Sequence, residues 1–155
     1  MHVNVDIDKL IEKTKLKLNF VEYDGDVTLP DDVVRKHLET AKTLIDSVFD
    51  TDRLQKDENN KIILYLYEEC ITEYAKYLIM VSWASNAIDI ERTPSIWKDI
   101  LMNERKILKS LLLRLIGDPI AVDQLLGEED FLMKLKLSIP KVTNSYNLLT
   151  RYFTK

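Results

Sequence analysis

Three glutamates, Glu68, Glu69 and Glu73, stand close together in an apolar stretch with helical spacing. Residues three and four apart share a helix face, so these carboxylates would lie near one another. Carboxylates on a helix can hold a metal ion when a histidine joins them at helical spacing. No histidine lies near these positions. We therefore interpret the cluster as a charged, solvated strip and predict no metal site.

The other residues that could do chemistry also favour structural roles. Cys70 is the only cysteine and lies within an apolar helical stripe, so we predict a buried small hydrophobe. His37 lies beside another stripe without a second ligand near it, which indicates a structural or solvated side chain. Glu22, Asp24 and Asp26 do not follow the twelve-position calcium loop, and a solvated turn explains them.

Glycine is too scarce for a phosphate-binding loop, because the chain contains only three glycines, at positions 25, 117 and 127. By elimination of motifs we predict no catalytic residue and no cofactor, and a protein that is not an enzyme. An enzyme with an unrecognised acidic metal site is the minor alternative.

Apolar periodicity predicts a mainly α protein, a small bundle of four to five helices. Pro30 suits the first turn of the second helix, and Thr93, Pro94 and Gly117 delimit the fourth. The predicted helices cover about 6–17, 30–49, 60–84, 94–116 and 119–126, with a polar connection at 50–60. The predicted core faces include Ile62, Trp97, Ile107 and Leu108.

Two segments read as extended structure. Asp24-Gly25 lies between short runs of apolar residues, which predicts an early β-hairpin at 20–29. The C-terminal residues alternate apolar and polar side chains, which is typical of a strand. We therefore divide the chain into a helical bundle domain, residues 1–130 (the body), and residues 131–155, the C-terminal arm, with an extended strand.

The C-terminal arm is basic, whereas the body is acidic. The arm has five Lys or Arg residues and no acid, and the body has 17 basic and 26 acidic residues, a net charge of −9. Opposite charges favour association between copies or with nucleic acid. The residues that we expect to bind partners are Phe131, Met133, Lys134, Leu135, Lys136, Leu137, Ile139, Tyr146, Arg151, Tyr152 and Phe153.

The partner of the strand at 131–139 stays open. It could add to a neighbouring subunit, or it could pair with the hairpin of its own chain. The aromatic residues of the C-terminal arm could instead stack on single-stranded nucleic acid. A nucleic-acid-associated accessory or regulatory module is therefore the alternative function.

Three successive segments carry a resemblance: PDDVVRKHLETAKTLIDSVFD, IILYLYEECITEYAKYLI and TPSIWKDILMNERKILKSLLLRLIGDP. Their order resembles that of the head–tail connector proteins (adaptors, or head completion proteins) of tailed bacteriophages and related viruses. The resemblance covers about residues 28–120. It is a pattern of helices, and the basic C-terminal arm is longer than the usual plan.

The resemblance implies a structural virion protein that forms a homo-oligomeric ring between the portal and tail proteins. It also implies DNA passage without specific binding, and presence in the host cytoplasm during assembly. Whether such a subunit is monomeric before it meets its partners is left open. The N-terminal residues lack a secretory pattern, and no apolar stretch is long enough for a membrane span, so we expect a soluble intracellular protein.

Overall fold

The computed structural model describes residues 5–18, 30–54, 61–86 and 94–127, and within them the protein is mainly α-helical, as predicted. No strand occurs in these ranges, and the predicted hairpin at 20–29 and the C-terminal arm lie outside them. The helices are α1 (Ile7–Leu18), α2 (Asp31–Asp46), a short 3-10 helix (Thr51–Leu54), α3 (Lys61–Asn86), α4 (Pro94–Ile116) and α5 (Pro119–Leu126).

The boundaries of α4 and α5 follow local stereochemistry. Helix α4 begins at Pro94 and is followed by Gly117, whose φ of 76° is accessible to glycine at little cost. The Asp118 side chain caps α5 by accepting a hydrogen bond from the backbone N–H of Ile120 at 3.0 Å. Gly127, with φ of 56°, closes α5. These boundaries were predicted from sequence.

Two features near α2 differ from prediction. Pro30 is the N-cap of the helix in extended conformation, with φ of −62° and ψ of 144°, rather than a residue of the first turn. The helix ends at Asp46, and the chain then forms the 3-10 helix inside the connection that we predicted to be polar. Leu54 is buried there, so this turn packs against the core.

The first two helices are antiparallel. Arg35 of α2 pairs with Asp8 near the start of α1, at 2.9 Å, and Asp31 at the start of α2 pairs with Lys15 near the end of α1. Residue numbers therefore rise in one helix as they fall in the other.

Helix α3 is the centre of the bundle and packs against α1, α2 and α4, while α5 packs on α4. Lys76 of α3 and Glu104 of α4 form an ion pair at 2.9 Å. One lies ten residues before the end of α3 and the other ten residues after the start of α4. Because the two paired residues lie equally far from the connection between α3 and α4, these two helices are antiparallel.

The core joins the inner faces of α2, α3 and α4. Its fully enclosed side chains include Leu38, Ile45, Ile71, Met80 and Leu108. Two residues that the periodicity placed in the core are exposed instead. Ile107 and Ile62 face solvent, because neighbouring helices cover the adjacent faces of α4 and α3 and leave these positions open. The side chain of Trp97 lies outside the described ones.

Among the helices that the structure describes, none combines the length and apolar character needed to cross a membrane.

Neighbouring residues of α4 provide a test of the core. Leu108→Ala should lower the free energy of unfolding by about 2–5 kcal/mol, because Leu108 is fully buried and its truncation leaves a cavity. Ile107→Ala, at a position that is 41% exposed, is the matched control and should change stability much less. Urea unfolding of both variants measures the difference, and equal losses would contradict the assigned face of α4.

Candidate functional site

Four charged residues join α1 to α3, and we call them the ionic seam: Lys13, Lys17, Glu69 and Glu73. Lys13 pairs with Glu69. Lys17 pairs with Glu73 and also with Glu69, at 3.0 Å. Both the lysines and the glutamates are four residues apart, so each pair lies on one helix face. The ion pairs fix α1 parallel to α3, since higher residue numbers in one helix meet higher numbers in the other.

The ionic seam corrects the sequence-based interpretation of the glutamate cluster. We predicted a solvated outer strip, yet Glu73 is only 7% exposed. It is buried because α1 lies over this part of α3, and Lys17 of α1 supplies the ammonium group that pairs with it. The matching four-residue spacings of the lysines and the glutamates are the signal that could have revealed this contact from sequence.

A second buried ion pair continues along the same helix. Lys76 and Glu104 are both largely shielded from solvent. Glu73 Oε2 and Glu104 Oε2 are buried without a hydrogen-bond donor among the described residues. Neither carboxylate belongs to a group of three or more His, Cys, Asp or Glu that could hold a metal ion in the described part of the chain. We therefore interpret these charges as structural partners across helices.

The pKa values of Glu69 and Lys17 in the ionic seam shift in opposite directions. Burial acts to raise the pKa of Glu69, but hydrogen bonds from Lys13 and Lys17 outweigh it, and the pKa falls below its usual value. Burial acts to lower the pKa of Lys17, and its hydrogen bonds to Glu73 and Glu69 outweigh that effect and raise the pKa. Both shifts favour the charged forms, so the pairing contributes to stability near neutral pH.

Cys70 is buried, as predicted, and its environment suppresses thiolate formation. Burial, with a smaller contribution from the charges of Glu69 and Glu73, raises the pKa of the thiol to about 12. The thiol is therefore protonated at neutral pH and is a poor nucleophile.

His37 has a local partner. Its Nδ1 lies 2.8 Å from the carbonyl oxygen of Val33, one turn earlier in α2. A carbonyl oxygen can only accept a hydrogen bond, so Nδ1 carries the proton in this contact. This is a structural role, in agreement with the sequence-based interpretation.

Polar side chains from the body fix the C-terminal end of α5. The Tyr74 hydroxyl donates to the carbonyl oxygen of Leu125 at 3.2 Å, and Arg105 donates to that of Leu126 at 3.2 Å. These carbonyls have no partner within their own helix, so the side chains satisfy them. The chain therefore leaves α5 beside Tyr74 and Arg105.

Several large apolar side chains that the sequence did not single out as surface features are exposed. Lys13 of α1 lies over the ring of Tyr65 of α3, 5.1 Å from its centroid. Leu16 follows Lys13 by one turn, and Ile62 precedes Tyr65 by one turn. Because α1 and α3 are parallel, Leu16 and Ile62 lie on opposite sides of the Lys13–Tyr65 contact along the helix axes. Ile62 and Tyr65, one turn apart on α3, are therefore neighbours, and we call these two residues the α1–α3 patch.

The residues predicted to bind partners, from Phe131 to Phe153, all lie outside the described residues, as do Glu22, Asp24 and Asp26. Their roles stay predictions. No known protein family, curated protein or solved structure matches the chain.

Substitution of Glu73 tests the burial of the ionic seam. Glu73→Ala should lower the free energy of unfolding by about 1–3 kcal/mol, because Lys17 loses a buried partner and keeps only Glu69. Glu39→Ala, at an exposed position of α2, is the control and should have little effect. Chemical unfolding followed by circular dichroism measures both, and a Glu73 variant as stable as the control would restore the solvated-strip interpretation.

The lowered pKa of Glu69 predicts a dependence of stability on acid. A carboxyl group whose pKa is lower in the folded state stabilises the fold above its unfolded pKa, and that contribution disappears as the pH falls through the folded value. Stability should therefore fall from just above the ordinary glutamate value of 4.5 downward. Urea unfolding at several acidic pH values should show a shallower decline for Glu69→Gln than for the wild type. An identical decline would show that Glu69 does not contribute.

Proposed function

We propose that this chain is a structural subunit of the head–tail connector type, which assembles into a ring and joins the portal to the tail of a viral particle. The contrast between the body and the C-terminal arm is the observation that carries the proposal. The body has a net charge of −9, and the arm has five basic residues, no acid and alternating apolar side chains. Such a pair favours a contact between the arm of one copy and the body of another.

The helical arrangement supports the same function. The resemblance to connector proteins rests on three successive helices, and α2, α3 and α4 occupy the corresponding parts of the chain. The charged groups of the interior pair with one another across helices, so they serve to hold helix register. Partners would then be bound by the surface of the body and by the C-terminal arm.

The surface of the body supports assembly because it exposes large apolar side chains. Ile62 and Tyr65 lie one turn apart on α3, and both are exposed. Exposed apolar groups that lie together and are rimmed by polar residues typically mark protein–protein contacts.

The proposal is tested by removal of the C-terminal arm. Sedimentation velocity over a range of concentrations should show assembly of the full chain and a monomer for a chain truncated after Asp130, because strand pairing and charge attraction are both lost. The melting curve by circular dichroism should change little. Unchanged assembly with a much lower melting temperature would contradict the proposal, since the arm would then complete its own domain.

Charge reversal within the C-terminal arm gives a matched experiment. Lys134→Glu with Lys136→Glu should weaken assembly most at low salt, where electrostatic screening is weakest. A salt-sensitive shift of the full chain on DNA or RNA, with no self-assembly, would instead favour the nucleic-acid alternative.

A further inference from the structure

The α1–α3 patch consists of large apolar side chains that are exposed to solvent. Ile62 is 79% and Tyr65 62% exposed, and they lie one turn apart on α3, where Lys13 of α1 approaches the ring of Tyr65. A neighbouring part of α3, from Ile71 to Met80, is largely enclosed by other helices. The patch is thus an exposed apolar surface on the first turns of α3, the central helix of the bundle.

Positive charges border the α1–α3 patch. Lys61 precedes Ile62 and lies one turn from Tyr65, and Lys9 lies one turn before Lys13. Both lysines are exposed, and neither forms an ion pair within the described residues. Glu12, one turn after Lys9 on α1, is also exposed, and its charge acts on Lys15. An apolar surface with two available ammonium groups favours an occupant that combines apolar side chains with carboxylates.

The chain itself contains such a segment. Residues 128–133 read Glu-Glu-Asp-Phe-Leu-Met, three carboxylates followed by three large apolar residues. We call them the junction segment, because they connect α5 to the C-terminal arm. The carboxylates match Lys9 and Lys61 in charge, and the apolar residues match the α1–α3 patch in hydrophobicity.

The geometry of α5 favours a second copy as the source of the junction segment. The chain leaves α5 beside Tyr74, thirteen residues beyond Lys61 on α3, which corresponds to about 20 Å along the helix axis. From Leu126 to Asp130 the backbone spans at most about 14 Å. The acidic residues of a chain therefore reach Lys61 of the same chain poorly, whereas those of a neighbouring copy meet no such limit.

We propose that the α1–α3 patch of one copy binds the junction segment of the next. This inference rests on the proposed assembly function and adds to it the receiving surface. The contact is heterologous, since two different surfaces meet, and repeated contacts of this kind close into a ring or extend into a filament. Glu128, Glu129 and Asp130 pair with the lysines that border the patch, and this orients the chain so that the C-terminal arm continues onto the neighbouring subunit.

A labelled peptide with the sequence of residues 126–139 tests the contact directly. Fluorescence anisotropy should show that it binds the full chain, at protein concentrations below self-assembly, and that Ile62→Ser weakens binding by about tenfold through the loss of apolar contact. Ile120→Ser is the matched control, because Ile120 is 71% exposed but lies on α5. It should leave binding unchanged.

Charge exchange tests the orientation. Lys9→Glu with Lys61→Glu should weaken binding of the natural peptide, and a peptide with lysine in place of Glu128, Glu129 and Asp130 should recover it. Lys36→Glu with Lys106→Glu, at exposed positions of α2 and α4, is the control.

The outcomes separate this inference from the proposed function. If truncation after Asp130 abolishes assembly, but patch variants assemble and bind the peptide like the wild type, the connector-type function stands and the assigned surface is wrong. If the full chain does not assemble and the peptide does not bind, both are wrong. Binding that is lost with Ile62→Ser and recovered by charge exchange supports both.

Discussion

The burial of charged residues along α3 is the constraint on which the rest of the structure depends. Glu73 and Lys76 lie in the part of α3 that other helices enclose, where an unpaired charge would be strongly destabilising. Each finds its partner on a different neighbour, Lys17 of α1 and Glu104 of α4. The ion pairs therefore select the direction and register of two helices at once, which apolar packing alone specifies less strictly.

This arrangement also explains why α3 is covered unevenly. The helix begins at Lys61, and in its first turns Ile63, Leu64 and Leu66 pack against the core. Ile62 and Tyr65 of the same turns face solvent instead. The packing that encloses α3 from Tyr67 to Met80 thus leaves an apolar surface at its beginning, and assembly is a physical reason for such a surface to exist.

Local features of the fold were predicted from the sequence, and non-local ones were not. Pro94, Gly117 and Gly127 act within a few residues of themselves, so the boundaries of α4 and α5 followed directly. The burial of Glu73 depends on a helix more than fifty residues earlier in the chain, and the composition of its own helix gave no sign of it. Ile62 shows the converse error, because apolar periodicity predicts which face is apolar but not how far the neighbouring helices extend.

Hydrogen–deuterium exchange of the full chain, dilute and assembled, tests the central claim most directly. The backbone N–H groups of residues 61–64 have no partner within α3, because they belong to its first turn, and their exchange reports whether that end is covered. Assembly should slow exchange at the start of α3 and in the facing part of α1, while exchange in the enclosed part of α3 should change little. Assembly with unchanged exchange at residues 61–64 would contradict it.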